Sequence, residues 1–90
     1  MGRIELEVLS PMGLLLHESG LDEVVLRRRE PLHDLGSECA ILRHHGPELI
    51  ATCAHTLRYR RGKTVGRMRV SAGVAEVLDE HVTLLITAVE

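Results

Sequence analysis

The last stretch of the chain, Val70 to Glu90, most constrains what it can fold into. It reads as two apolar runs of strand length, Val74 to Leu78 and Val82 to Ile86, joined at Asp79-Glu80. Runs rich in β-branched and aliphatic residues around an acidic dipeptide of turn character predict a β-hairpin, onto which everything upstream must pack. The same short period recurs from the start. Residues Arg3 to Leu9 alternate, with Ile4, Leu6 and Val8 on one side and Glu5 and Glu7 on the other, the pattern of a strand with one wet face. Ser10-Pro11-Met12-Gly13 is a turn, Leu14 to His17 a returning strand, and Glu18-Ser19-Gly20 a second turn. Glu23 to Leu26 reads as a short strand buried on both faces or nearly so. Arg27 to Gly36 has no period of two and ends in glycine, so it is expected as a surface loop. Cys39 to Leu42 and Glu48 to Cys53 are strands on either side of the loop Arg43 to Pro47. No segment offers a sustained helical stripe. The expected fold is all-β: a small sandwich or flattened barrel of about eight to ten short, mostly antiparallel strands.

Ninety residues make one domain, residues 1–90, near the lower end of what folds unaided, so nearly all apolar residues must share one core. That core is aliphatic, with Tyr59 the lone aromatic residue. The net charge of −2 favours neither a polyanion nor an anionic membrane surface as partner for the chain as a whole. The charge is nevertheless uneven. Arg58, Arg60, Arg61, Lys63, Arg67 and Arg69 crowd between Thr56 and Val70 with no acid among them, making a basic hairpin on an acidic body. Two cysteines do not make a disulfide framework. With no secretory apolar region near Met1, a reduced, cytosolic chain is expected. No apolar run approaches the roughly 20 residues that span a bilayer, so membrane association is expected only through a partner.

The basic hairpin has the best-defined local geometry. A two-residue Gly62-Lys63 loop places Leu57 opposite Met68, Arg58 opposite Arg67 and Tyr59 opposite Gly66. One face then carries Leu57, Tyr59, Met68 and Val70, the other Arg58, Arg60, Arg67 and Arg69. Like charges across a strand pair repel, so the arginine face is expected to be solvated or to meet carboxylates such as Glu5, Glu7 or those of a partner. Arg27, Arg28 and Arg29 read as a solvated charge run.

Chemistry is thinly represented. Cys39, His44, His45, Cys53 and His55 are close in sequence, and Cys53 and His55 would share a strand face. Zinc wants four such ligands, but paired ligand spacings are missing and a cysteine in an aliphatic strand is usually a small core residue, so no metal is expected. Ser71 has no nucleophile elbow around it and no base placed beside it. No glycine pattern matches a phosphate-binding loop or a dinucleotide fingerprint, and no cofactor is expected. The chain reads as a non-catalytic protein. Nucleic-acid binding is the rival class, since a basic ribbon can enter a groove and Tyr59 could stack a base. Against it, a single core-facing aromatic is poor equipment for stacking. A Cys/His metal-binding module is the other alternative.

Three blocks carry a family resemblance. Val8 to Gly13, followed by Asp22-Glu23-Val24-Val25-Leu26, looks like a strand, a Thr/Ser-Pro-x-Gly turn and a paired strand. Cys39-Ala40-Ile41-Leu42-Arg43-His44-His45-Gly46-Pro47-Glu48-Leu49 is similar to F-G-I-L-P-G-H-A-P-L-L, and Val70-Ser71-Ala72-Gly73-Val74-Ala75-Glu76-Val77 to V-S-G-G-F-V-E-V, continued by Val82-Thr83-Leu84-Leu85 for V-T-V-L. In their order and spacing these blocks resemble the N-terminal β-sandwich domain of the epsilon subunit of F-type ATP synthases. Cys39, Arg43 and His44 replace the family's Phe, Pro and Gly, and the segment from Arg27 to Glu38 is longer, departures that suggest a variant such as the alternate sodium-type enzymes.

The resemblance implies a peripheral subunit at the cytoplasmic face of the bacterial inner membrane, at the foot of the central stalk. Its partners would be the gamma subunit and the c-ring, with no nucleic acid, and it would transmit torque without doing chemistry. Arg28, Arg29, Glu30, His33 and Glu38 are expected toward the ring by position, with His45 and Pro47 shaping the neighbouring turn. Arg58, Arg60, Arg67 and Arg69 are a candidate interface by charge alone. In the family a two-helix C-terminal domain follows the residues matching Thr87 to Glu90. This sequence shows no such helical hairpin, and the expectation is coupling without the subunit's usual brake.

Overall fold

The computed structural model describes residues 2–87. Ala88, Val89 and Glu90, with which the stretch opened above ends, lie outside the described residues. Nine strands follow one another: β1 (Ile4–Ser10), β2 (Gly13–Leu21), β3 (Glu23–Glu30), β4 (His33–Leu42), β5 (Glu48–Thr52), β6 (His55–Arg61), β7 (Thr64–Val70), β8 (Gly73–Leu78) and β9 (His81–Ile86). No helix occurs among the described residues. They form one curled sheet whose two halves face each other as a flattened barrel. One half runs β2-β1-β9-β8-β5; the other runs β4-β3-β6-β7. All pairings are antiparallel except β1 with β9, which brings the N-terminal strand alongside the closing hairpin.

The halves join at two corners. At one, β5 touches β3 through the Arg28–Thr52 pair, and the Cys53 amide donates to the Arg27 carbonyl at 3.3 Å. At the other, the Asp22 amide donates to the Arg60 carbonyl at 2.8 Å, and Arg61 reaches the Glu18 carboxylate and the Ser19 carbonyl at 2.8 and 2.7 Å. Between the halves lies one aliphatic core. Ile4, Leu6, Val8, Leu21, Ile50, Ala75, Val77, Val82, Leu84 and Ile86 come from the five-stranded half, and Val24, Leu26, Ile41, Leu57 and Val70 from the other. Each large side chain buried here stabilises the fold by about 1.5–3 kcal/mol before entropy is counted, which is how a core without Phe or Trp suffices.

The basic hairpin has the register expected from its turn: Leu57 faces Met68, Arg58 faces Arg67 and Tyr59 faces Gly66. Gly62 takes φ 60°, as a loop with glycine first requires. In the closing hairpin Asp79 and Glu80 form the turn, both with positive φ, 49° and 64°.

Two expectations fail at β-bulges. Glu18-Ser19-Gly20 is not a turn, because β2 continues to Leu21. Between the pairs Ile4–Leu21 and Leu6–Glu18 the second strand carries an extra residue, and Gly20 supplies the left-handed φ of 68° that the irregularity needs. Likewise Arg27 to Gly36 is not a loop but the tip half of the long β3–β4 hairpin, with only Pro31 and Leu32 in the turn. Pairing passes from Arg28–Ser37 to Glu30–His33 with surplus residues on β4, and Gly36 has φ 69°. A bulge shifts the two-residue alternation, so the strand pattern disappears from the sequence while the strand persists. The run Glu48 to Cys53 ends one residue early. The break at Cys53-Ala54 keeps Cys53 off the His55 strand face and leaves His55 buried.

Candidate subunit-interface surfaces

The residues singled out from sequence gather in three places. At the β3–β4 hairpin, Arg29, Glu30, His33 and Asp34 line an open cavity of about 280 Å³ together with Cys53. Glu30 accepts a hydrogen bond from the Ser37 hydroxyl at 2.7 Å. The tip also presents Leu32, 92% exposed, and Leu35, 80% exposed, beside these charges. Arg28 points elsewhere. Its guanidinium donates to Glu48 at 2.9 Å and approaches the Cys39 sulfur at 3.5 Å, tying β3 to β5 and β4. These partners raise its pKa, the Glu48 hydrogen bond foremost.

His45 and Pro47 belong to the β4–β5 loop at the end of the barrel. His45 Nε2 donates to the same Glu48 carboxylate at 2.8 Å. That hydrogen bond first, and Arg28 second, hold Glu48 below the ordinary carboxylate range. With His44, Asp79 and Glu80 the loop walls a cavity of about 300 Å³ whose floor is Ile4, Ile41 and Val77. All three non-glycine residues with positive φ among those described, His44, Asp79 and Glu80, stand around it.

The arginine face of β6–β7 is largely neutralised from within, and not by the acids expected. Arg58 donates to Glu38 at 2.7 Å, so Glu38 sits over the four-stranded half rather than at the hairpin tip. Arg60 lies 3.5 Å from Glu23 and 3.7 Å from Asp22. Arg67 is exposed, and Arg69 also makes an interaction within the protein. Glu5 is drawn the other way. Its carboxylate accepts from His17 at 2.7 Å and lies 3.4 Å from His81, and the His17 hydrogen bond chiefly lowers its pKa.

The cysteines and histidines weighed as metal ligands are dispersed. Cys39 meets Arg28, His45 meets Glu48, and His55 donates from Nδ1 to the Cys53 carbonyl at 2.7 Å. Among the described residues no three His, Cys, Asp or Glu side chains are arranged to hold a metal ion. Tyr59 packs against the core, across the strand from Gly66.

One surface escaped the reading of the sequence. Across the outside of the five-stranded half, Leu14 pairs with Leu9, Leu9 with Leu85, Leu85 with Val74 and Val74 with Ala51. Directly paired residues share a face, so these five side chains form one apolar row across five strands. Leu14 is 54%, Leu85 52% and Val74 44% exposed, and Leu49 and Leu78 extend the apolar surface along β5 and β8. Single-strand alternation already puts Leu9, Leu85 and Val74 opposite the core. Their alignment into a row depends on the parallel β1–β9 register, for which no local signal exists.

No family model matches the chain. It is 36% identical over 88 residues to an ATP synthase epsilon chain of Syntrophobacter fumaroxidans, covering 98% of this chain and 60% of the relative. It is 33% identical over 86 residues to one of Granulibacter bethesdensis, covering 94% of this chain and 58% of that relative. The chain thus spans about three fifths of the curated relatives it matches. Among solved structures it superposes on a chain in the central stalk/c-ring structure of the Tetrahymena thermophila mitochondrial ATP synthase with a TM-score of 0.72, at 14% identity, over 98% of this chain and 67% of that one. The structural likeness establishes the shared β fold, and over nearly all of its length the chain is similar in sequence to the ATP synthase epsilon chains.

Proposed function

We propose that the protein is a non-catalytic central-stalk component of a rotary ATP synthase, placed against the gamma subunit and the membrane ring on the cytoplasmic face. The observation that supports this reading most is the apolar row Leu14-Leu9-Leu85-Val74-Ala51 on a chain related to the epsilon subunits. A contiguous apolar surface of this kind marks a docking face. It is carried by five hydrogen-bonded strands over a packed core, so a load applied to it is borne by the whole body. In this reading the row seats on gamma. The β3–β4 tip, with Leu32 and Leu35 beside Arg29, Glu30 and His33, reaches toward the ring. Arg28, His45 and Glu48 act behind it by stiffening the junction of β3, β5 and the adjoining loop.

The test is partner identity. Purified with its neighbours, the protein should bring down a gamma-like subunit and a ring, and Leu85→Asp should release gamma while Arg67→Ala does not. Retention on single-stranded nucleic acid at physiological salt, with no such partner, overturns the reading.

A further inference from the structure

Between its pairings with β5 and β6, the edge of β3 parts from its neighbour. The last β3–β6 pair is Val25–Arg58 and the next link is Arg28–Thr52. The opening is a cleft of about 340 Å³ on the outside of the four-stranded half, lined by Val25, Leu26, Arg27, Glu38, His55, Thr56, Arg58 and Arg67.

Its geometry is that of an oxyanion receptor already holding a substitute. Arg58 and Arg27 converge on a single oxygen, Glu38 Oε2, at 2.7 and 3.9 Å. Yet Glu38 is the loosest member of the group, its side chain 58% exposed against 40% and 36% for the two arginines. Exposed pairs of this kind contribute about 0–1 kcal/mol, so the carboxylate is easily displaced. Three guanidinium groups face one carboxylate around the cleft, an excess of two positive charges. Guanidinium forks match the oxygen spacing of phosphate, and the Thr56 hydroxyl adds a donor.

At the back lies His55, 5% exposed, its Nδ1 bonded to the Cys53 carbonyl and its Nε2 buried without a partner. Burial is the main cause of its lowered pKa, followed among the lowering influences by Arg27 and Arg69.

We propose that this cleft binds a small phosphate-class dianion, free or as the head of a larger molecule, with Arg27, Arg58 and Arg67 as its ligands and Glu38 as the built-in competitor that the anion displaces. The site is on the opposite half from the apolar row, so it stands or falls independently of the stalk reading.

The experiment is a titration of the folded chain with inorganic phosphate and pyrophosphate at constant ionic strength. It is followed by NMR of the arginine side chains and the His55 ring, with a parallel arm of phosphatidic acid vesicles against phosphatidylcholine vesicles. Saturable shifts at Arg27, Arg58, Arg67 and His55 are expected. Arg67→Ala should weaken binding roughly tenfold. Glu38→Gln, which removes the competitor, should tighten it several-fold. Arg60→Ala, on the same face but outside the cleft, should change nothing. Response to the soluble anions alone assigns a free ligand, and recruitment by phosphatidic acid assigns a headgroup. Non-saturating shifts, equal losses in the Arg60 and Arg67 variants, or a Glu38→Gln protein that binds no more tightly would each overturn the proposal.

Discussion

The two halves of the barrel share one core but turn different faces outward. Outside the five-stranded half, leucine, valine and alanine line up across every strand. Outside the four-stranded half stand arginines, and there Glu38, Asp22 and Glu23 supply the counter-charges from within the same chain. The difference teaches where a partner is needed. Solvated, internally paired charges are stable exposed to water, whereas a row of apolar side chains gains free energy only when something covers it. Charge crowding in the sequence drew attention to the arginine face; the apolar surface that only a partner can cover is on the other half.

If the halves are one body, breaking either should break both, and this is the largest effect expected. Leu6→Ala in the five-stranded half and Leu57→Ala in the four-stranded half should each cost about 2–5 kcal/mol in urea unfolding, through a single transition. Two separate transitions would show that the halves fold independently. The outward faces are distinguished next. If the row seats on gamma as proposed, Leu85→Asp or Val74→Asp should weaken that binding by at least tenfold, about 1.4 kcal/mol, with the unfolding midpoint nearly unchanged. Arg67→Glu should leave that binding as it was. Equal losses from both faces would erase the distinction drawn here.

Smaller effects test the turns and corners that join the halves. Glu80 adopts a φ of 64° and leaves its Oε2 buried without a partner. Glu80→Gly removes both penalties at some cost in unfolded-state entropy and should stabilise the protein by about 0.5–1 kcal/mol in chemical denaturation. At the β5–β6 corner, burial lowers the pKa of His55 below its ordinary 6.5. The unfolded chain therefore binds the proton more readily, and stability should be full above about pH 6.5 and decline as the pH falls from there toward the folded value. Replacing His55 with Asn should flatten that part of the profile. An unchanged slope would show that His55 is not its source.

Much of this was legible in the residues. Alternation in Ile4 to Leu9, the Gly62-Lys63 loop and the Asp79-Glu80 junction each specify local geometry through side-chain period and turn chemistry, and the strands and register there match. The segment from Arg27 to Gly36 reads as a loop because a bulge near Gly36 breaks the period without breaking the strand. Interface residues named by position or charge were scattered by the fold. Arg28 is tied to Glu48 and Glu38 to Arg58, while Arg29, Glu30 and His33 share one cavity.

By itself, then, the sequence determined an all-β chain with an aliphatic core, a basic hairpin with one apolar side, and a likeness to the epsilon chains, because these depend on neighbours a few residues apart or on ordered blocks of residues. Only the tertiary structure decided which carboxylates answer the arginines and which outward apolar residues line up. Both depend on pairings between distant strands, above all the parallel alignment of β1 with β9, whose register is set by the packing of the shared core and not by any local pattern.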